Sequence, residues 1–194
     1  ADCLPDQPRI LSLDLSGLGA LQPEPAAYDL AGWNDIERIL TYLSIANSRP
    51  IMGLRVRDAL CGLAYLRSRP DVDPTRLTVA GRGIGAIVAL HAALIAGDVQ
   101  RVVCLNMLSH YGSMTEMFPF HWPQTIIIPG ILQHYDLPEI AAALTGVQVR
   151  VLDPVDAQRN PLSQEAAQAL YAEAIAAGAT VRCGVGEGGV IGEE

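Results

Sequence analysis

The chain has 194 residues, half of them hydrophobic and 18% charged, which suits one soluble domain with a sizeable core and excludes a disordered or low-complexity polypeptide. Its 13 basic residues are all arginine and stand against 21 acidic ones, a formal charge of −8 without a basic patch, which argues against a nucleic-acid partner. No apolar run is long enough to span a bilayer and no signal peptide is visible, so no membrane partner is expected and the compartment stays open. A start at Ala1 rather than methionine fits a processed form or a piece of a longer protein.

In chain order, Arg9 to Leu15 is an aliphatic run that reads as a first strand. Residues 22–50 fit no simple pattern. Ile51 to Arg67 has helical spacing, with Leu54, Ala59, Leu60, Leu63 and Leu66 near one face and Arg55, Arg57 and Asp58 turned partly away. Arg76 to Ala80 reads as a second strand, followed by three glycines at alternate positions and a helix over Ile84 to Ile95. Strands are expected at Arg101 to Leu105, Val147 to Leu152 and Thr180 to Val185, with a helix over Gln164 to Ala177 that Ser163 caps and Gly178 ends. This alternation predicts an α/β fold, a mostly parallel sheet of about five strands flanked by helices. Residues 109–144, rich in proline and aromatics, are long enough for a short cap of small helices at one end of the sheet. In that segment Tyr111, Phe118, Phe120, Trp122 and Tyr135 either line an apolar pocket or pack the segment onto its own domain. His110 and His134 are further pocket candidates. No linker or repeat divides the chain, so one domain is expected.

The three glycines carry the most information. In Arg76-Leu-Thr-Val-Ala-Gly-Arg-Gly-Ile-Gly-Ala86 a strand runs into a sharp turn and then a helix, the layout of the nucleophile elbow G-x-S-x-G. Gly81 and Gly85 supply the small residues such a turn needs, but Gly83 stands where the serine belongs and has no Oγ. The N–H groups at the start of the following helix, with Arg82, Ile84 and Gly85 beside Gly83, form a candidate anion or carboxylate site unless neighbours pack the turn shut. Cys3, Cys61, Cys104 and Cys183 are far apart, without metal-ligand spacing, and read as buried free thiols. No metal or other cofactor is implied. Among the histidines, His91 reads as a core or helix-surface residue. Ser109 beside His110 is suggestive, but chain neighbours rarely face each other as nucleophile and base.

These features resemble the α/β-hydrolase superfamily, and within it the acetyl xylan esterase and dienelactone-hydrolase-like carboxylesterases. Tyr65-Leu-Arg-Ser-Arg-Pro-Asp-Val-Asp-Pro-Thr-Arg76 is similar to the run that leads into the elbow of those esterases. Leu13-Asp-Leu-Ser-Gly-Leu-Gly19 resembles their D-x-R-G-x-G turn, with Ser16 in place of arginine. Val151-Leu-Asp-Pro-Val-Asp-Ala157 resembles the strand end that bears the triad acid, which implies Asp156 in that role, with Asp153 the second choice. The resemblance also implies a nucleophile at Gly83 and a histidine after the last strand. Residues 181–194 contain no histidine, so two of three triad members are absent and the triad is degenerate.

The resemblance further implies strands that precede the one at residues 9–15 and are missing here. Either the first two strands then pair directly in a shrunken sheet, or an upstream segment or a second chain completes it, as a companion hydrolase domain or a homo-oligomer. Functionally, the expectation is an esterase-lineage domain without activity of its own that serves a structural, assembly or ligand-binding role toward a carbohydrate or acyl ester. The alternative is an active ester hydrolase whose nucleophile and base come from another segment or chain. A third reading takes Gly81-Arg-Gly-Ile-Gly-Ala86 as the G-x-G-x-x-A of a dinucleotide-binding domain, although the next strand ends in Leu105-Asn106 without the acid that would hold a ribose.

Overall fold

Valine-rich runs form the middle of the sheet, as expected where a strand is buried on both faces. The computed structural model describes residues 9–22 and 36–185. Among these, four strands, β1 (Thr78–Arg82), β2 (Arg101–Leu105), β3 (Gln148–Leu152) and β4 (Thr180–Arg182), lie side by side in chain order and are all parallel. Val102, Cys104 and Val151 on the two central strands are fully buried. The register sets Arg82, Leu105, Leu152 and Arg182 in one row, so the residues that follow the strands share the C-terminal rim of the sheet.

Helices α1 (Ile36–Ala46), α2 (Ile51–Ser68) and α3 (Ile84–Ala96) come from the first half of the chain. Helix α3 is apolar around most of its circumference because it is covered on several sides: it packs on β1, β2, α2 and α5 (Leu137–Ala143), and Ala86, Ile87, Leu90 and Ala93 are fully buried. Gly97 ends it in the left-handed conformation, φ 70°, with its N–H on the Ala93 carbonyl. Residues 109–144 do form short helices, namely α4 (Ser113–Glu116), 3-10 turns at Gln124–Ile126 and Ile131–Gln133, and α5, which a capping box of Asp136 and Glu139 starts. The expected helix over 164–177 is two, α6 (Gln164–Leu170) and α7 (Ala172–Ala176). The break falls at Tyr171, whose fully buried phenol donates to the Ser109 carbonyl at 2.7 Å. Ser163 caps α6 as expected, its Oγ accepting the Ala166 N–H.

Several expectations need correction. Residues 9–15 are not a strand and do not pair with β1, so among the described residues the sheet is partial, with four strands where about five were expected and no direct pairing of the first two runs. The stretch lies along α2 instead. A Cβ on Gly62 would come within 2.5 Å of the Leu13 side chain, and the Ser16 N–H and Oγ both donate to Asp58. β1 starts two residues later than expected because Pro74–Arg76 is a 3-10 turn, and β4 stops at Arg182. Arg55, expected to face partly outward, is fully buried. Its Nη2 meets Glu37 at 2.9 Å, Nη1 donates to Thr125 Oγ1 at 3.0 Å and Nε to the Ser16 carbonyl at 3.0 Å, while Thr125 Oγ1 donates to the other Glu37 oxygen. Cys61 is exposed on α2, Cys104 is buried with its thiol pushed up to about 12 by burial, and Cys183 is half-buried. Cys3 and residues 23–35 of the unpatterned stretch lie outside the described residues.

His91 is buried on α3, as a core histidine, but is only half satisfied. Its Nδ1 lies 2.8 Å from the Ile87 carbonyl, and Nε2 has no partner among the described residues. Burial holds the imidazole below its ordinary value of 6.5, opposed by that carbonyl contact. The unfolded chain therefore binds the proton more readily, so the neutral ring contributes stability above pH 6.5 that is lost as pH falls toward the lowered native value. Urea unfolding at pH 7.5 and 5.5 should show this loss, and His91→Gln, which cannot take the proton, should shrink it.

Candidate functional site at the C-terminal rim of the sheet

In open parallel sheets the strand ends are where loops converge and ligands bind. Here the rim begins with Gly83, at φ 56° and ψ −118°, a conformation that L side chains rarely adopt. Its N–H donates to the Leu105 carbonyl at 2.9 Å, which ties the turn to β2. A Cβ at Gly83 would meet nothing within 4 Å among the described residues, so these neighbours do not pack the turn shut. At Gly81 the same Cβ would lie 2.1 Å from the Gly85 carbonyl oxygen and 2.6 Å from the Ala86 nitrogen, because helix α3 starts directly against β1. At Gly85 it would meet nothing within 4 Å, so the crowding that demands a glycine is one-sided. Ile84 and Gly85 form the first turn of α3, where backbone N–H groups have no intrahelical partner.

The next two rim residues also have left-handed backbones, Asn106 at φ 48° and Asp153 at φ 49°. They are stitched to each other and to Gly83's strand. Arg82 Nε donates to Asn106 Oδ1 at 3.2 Å, and Asn106 Nδ2 to the Asp153 carbonyl at 3.3 Å. Asp153 Oδ1 accepts the N–H groups of Gly184 at 2.5 Å and Val185 at 3.2 Å, closing the rim at β4. Asn106 escaped the sequence reading as a site residue, although an asparagine directly after a strand is the signal that permits a left-handed turn.

Asp156 lies three residues beyond Asp153. Its Oδ1 accepts the N–H groups of Gln158 and Asn160 at 2.8 Å, and its Oδ2 the Asn160 amide at 3.0 Å. Burial works to raise its carboxyl, but the Asn160 side chain and backbone, the Gln158 N–H and the His121 charge outweigh it and hold the group below the usual carboxylate range. The Asp156 carbonyl accepts Trp122 Nε1–H at 3.0 Å, and the Arg159 guanidinium sits 5.0 Å over that ring. His121 Nδ1 lies 3.2 Å from the Gln158 carbonyl, so a histidine that was not singled out for the site neighbours the triad-acid candidate.

The pocket candidates are spread rather than gathered. Tyr111 and Trp122 are buried, and the Tyr111 phenol donates to the Ile126 carbonyl at 2.9 Å. Burial, then the Asp136 charge, pushes that phenol up. Trp122 also lines an open groove of about 280 Å³ with Phe118, Phe120, Glu37 and Gln124. His110 lines a different groove of about 380 Å³, with Asp136, Glu139 and Glu173. His134 is exposed, and Tyr135 is partly exposed with its ring 6.1 Å from that of His91. Contrary to the rule for chain neighbours, Ser109 Oγ and His110 Nδ1 are 3.0 Å apart. Ser109 is nevertheless fully buried and so lacks the access that a nucleophile needs, while the nearby Asp136 carboxylate is occupied by the N–H groups of Tyr111, Gly112 and Leu137. Among the described residues no group of three His, Cys, Asp or Glu is placed to hold a metal ion, and no helix is long and apolar enough to cross a membrane.

A parallel sheet flanked by helices, entered by a glycine elbow at the start of a buried helix, is an α/β-hydrolase-like architecture with a partial sheet. Among solved structures the chain is similar to a "putative acetyl xylan esterase" from Bacteroides fragilis, with a TM-score of 0.71 and 14% identity over 89% of this chain. The match takes in 46% of that protein, so the chain spans less than half its length. No family model and no curated protein matches the sequence. The likeness establishes an esterase-like fold.

Proposed function

We propose that the chain is an esterase-lineage α/β-hydrolase domain that does not hydrolyse esters by itself and serves in assembly or in binding a carbohydrate or acyl ester ligand. The observation that carries this is Gly83: the backbone keeps an elbow's turn, and the position that would project a nucleophile bears no side chain. The lack of histidine in residues 181–194 removes the base as well. Asp156 in this reading orders the 156–160 turn, and its hydrogen bonds there are the ones such a turn requires. One feature favours a second reading, an active hydrolase completed from elsewhere: the open space over Gly83 would admit a nucleophile supplied by another segment or chain.

p-Nitrophenyl acetate assayed with the purified chain alone, and again with an extract of its source cells added, separates the two, since the second reading expects turnover that depends on the chain once the completing segment or chain is present. No turnover above buffer is expected, since loss of serine and histidine from a complete triad costs roughly 10⁶-fold in kcat. Gly83→Ser should add little, because residues 183–194 hold no histidine to serve as its base. Turnover that Asp156→Ala abolishes would overturn the non-catalytic reading.

A further inference from the structure

We infer that residues 130–135 form a strap over His91 that lifts off α3 when the ring takes a proton, an acid-responsive opening that leaves the sheet intact. The Ile87 carbonyl, 2.8 Å from Nδ1, can only accept, so Nδ1 carries the proton of the neutral ring and Nε2 is left as a bare acceptor. A second proton has to go on Nε2, which is buried and meets no partner among the described residues. The result is a buried cation with an unpaired donor, which is more stable in water than in place.

Which side of the ring yields follows from what holds each side. α3 is packed on β1, β2, α2 and α5, and Ile87 and Leu90, beside His91 on the helix, are fully buried. The strap is thinner: the 3-10 turn Ile131–Gln133, then His134 and Tyr135, whose ring lies 6.1 Å from the imidazole. The Gln133 N–H bonds the Gly130 carbonyl, those of His134 and Tyr135 bond that of Ile131, and among the described residues every hydrogen bond of 130–135 ends within residues 128–135. Leu132 and Tyr135 are 47% and 37% exposed, so Ile131 is the strap's buried anchor. Both flanks are fixed, because the Tyr111 hydroxyl donates to the Ile126 carbonyl and the Asp136 carboxylate accepts the N–H groups of Tyr111 and Gly112. Between them Gly130, at φ 79°, takes up backbone changes that other residues resist and serves as the hinge.

No charge on the elements around the ring takes over this role. α3 has no charged residue of its own. On α2, Arg55 is bound to Glu37, Asp58 to Ser16 and Arg67 to Asp98, while Arg57, Cys61 and Tyr65 are exposed. Arg82 of β1 bonds Asn106, and on β2 Arg101 bonds Gln148 and the Cys104 thiol the Ala86 carbonyl. Glu139 of α5 holds the Asp136 N–H. Tyr135 is the titratable group against the ring, with the exposed His134 beside it in the chain. Burial, opposed by the Ile87 carbonyl, holds the imidazole below 6.5, so lifting the strap returns it to that ordinary value and takes up a proton. Acid therefore favours the opened form, whose equilibrium constant rises by up to about ten-fold from pH 7.5 to 5.5.

Native-state hydrogen exchange of the whole chain tests this, read at the Gln133, His134 and Tyr135 amides after correction for intrinsic rates. Their protection should fall by up to about ten-fold between pH 7.5 and 5.5, stay below that of the β2 amides at both, and lose its pH dependence in His91→Gln. Should that variant not fold, the NMR titration of His91 decides: in Tyr135→Ala, which thins the strap over the ring, its midpoint should rise toward 6.5. Strap amides indifferent to pH or as protected as those of β2, a pH response that survives His91→Gln, or a His91 midpoint unmoved by Tyr135→Ala overturns the inference.

Discussion

Arg55→Met is expected to destabilise the chain by about 3 kcal/mol, the low end of the cost of breaking a buried ion pair. Arg55 is fully buried, and its guanidinium joins α1 through Glu37, the 124–126 turn through Thr125 and the 9–22 segment through the Ser16 carbonyl. Removing it leaves the Glu37 carboxylate without its cation, but that side chain is 24% exposed and water relieves part of the loss. For a chain of this size the melting temperature should fall by roughly 6–12 °C. Arg55→Lys keeps the charge without the planar fork and should fall between. A shift below about 1 kcal/mol in urea unfolding would show that the network contributes little.

The second large effect is at the elbow, where Gly81→Ala should cost more than Gly83→Ala. At Gly81 the new methyl meets the backbone of Gly85 and Ala86, which no side-chain rotation relieves, so α3 must move off β1 at a cost of about 3 kcal/mol. At Gly83 the methyl finds open space, and the cost is backbone strain at φ 56°, about 1–3 kcal/mol. Denaturant midpoints of the two variants rank them. The reverse order would mean that the turn over Gly83 is closed.

What the sequence disclosed was local or periodic. Val102 and Val103 mark β2, the alanine-rich run after Gly83 marks α3, and the glycine spacing marks the elbow, because each signal lies within one element. What it concealed depends on distant partners. Nothing in the spacing of α2 says that Arg55 meets Glu37, 18 residues away, and Thr125, 70 residues away, so an arginine among leucines looked like an outward residue. Residues 9–15 have the composition of a strand, but among the described residues no strand takes up their backbone groups, and α2 holds them instead. At the site, the bonds of Asp156 to Gln158 and Asn160 are short-range. The apposition of Ser109 and His110 and the nearness of His121 to Asp156 arise from loop paths that periodicity does not encode.

Gln164 stands in the first turn of α6, and its amide grips the backbone of β4 on the side away from β3. A three-residue strand would ordinarily fray first, at nearly no free-energy cost. Peeling it from the sheet breaks both bonds to the helix end, so strand and helix end are expected to open as one cooperative unit, with amide protons of both reporting the same opening free energy in native-state hydrogen exchange.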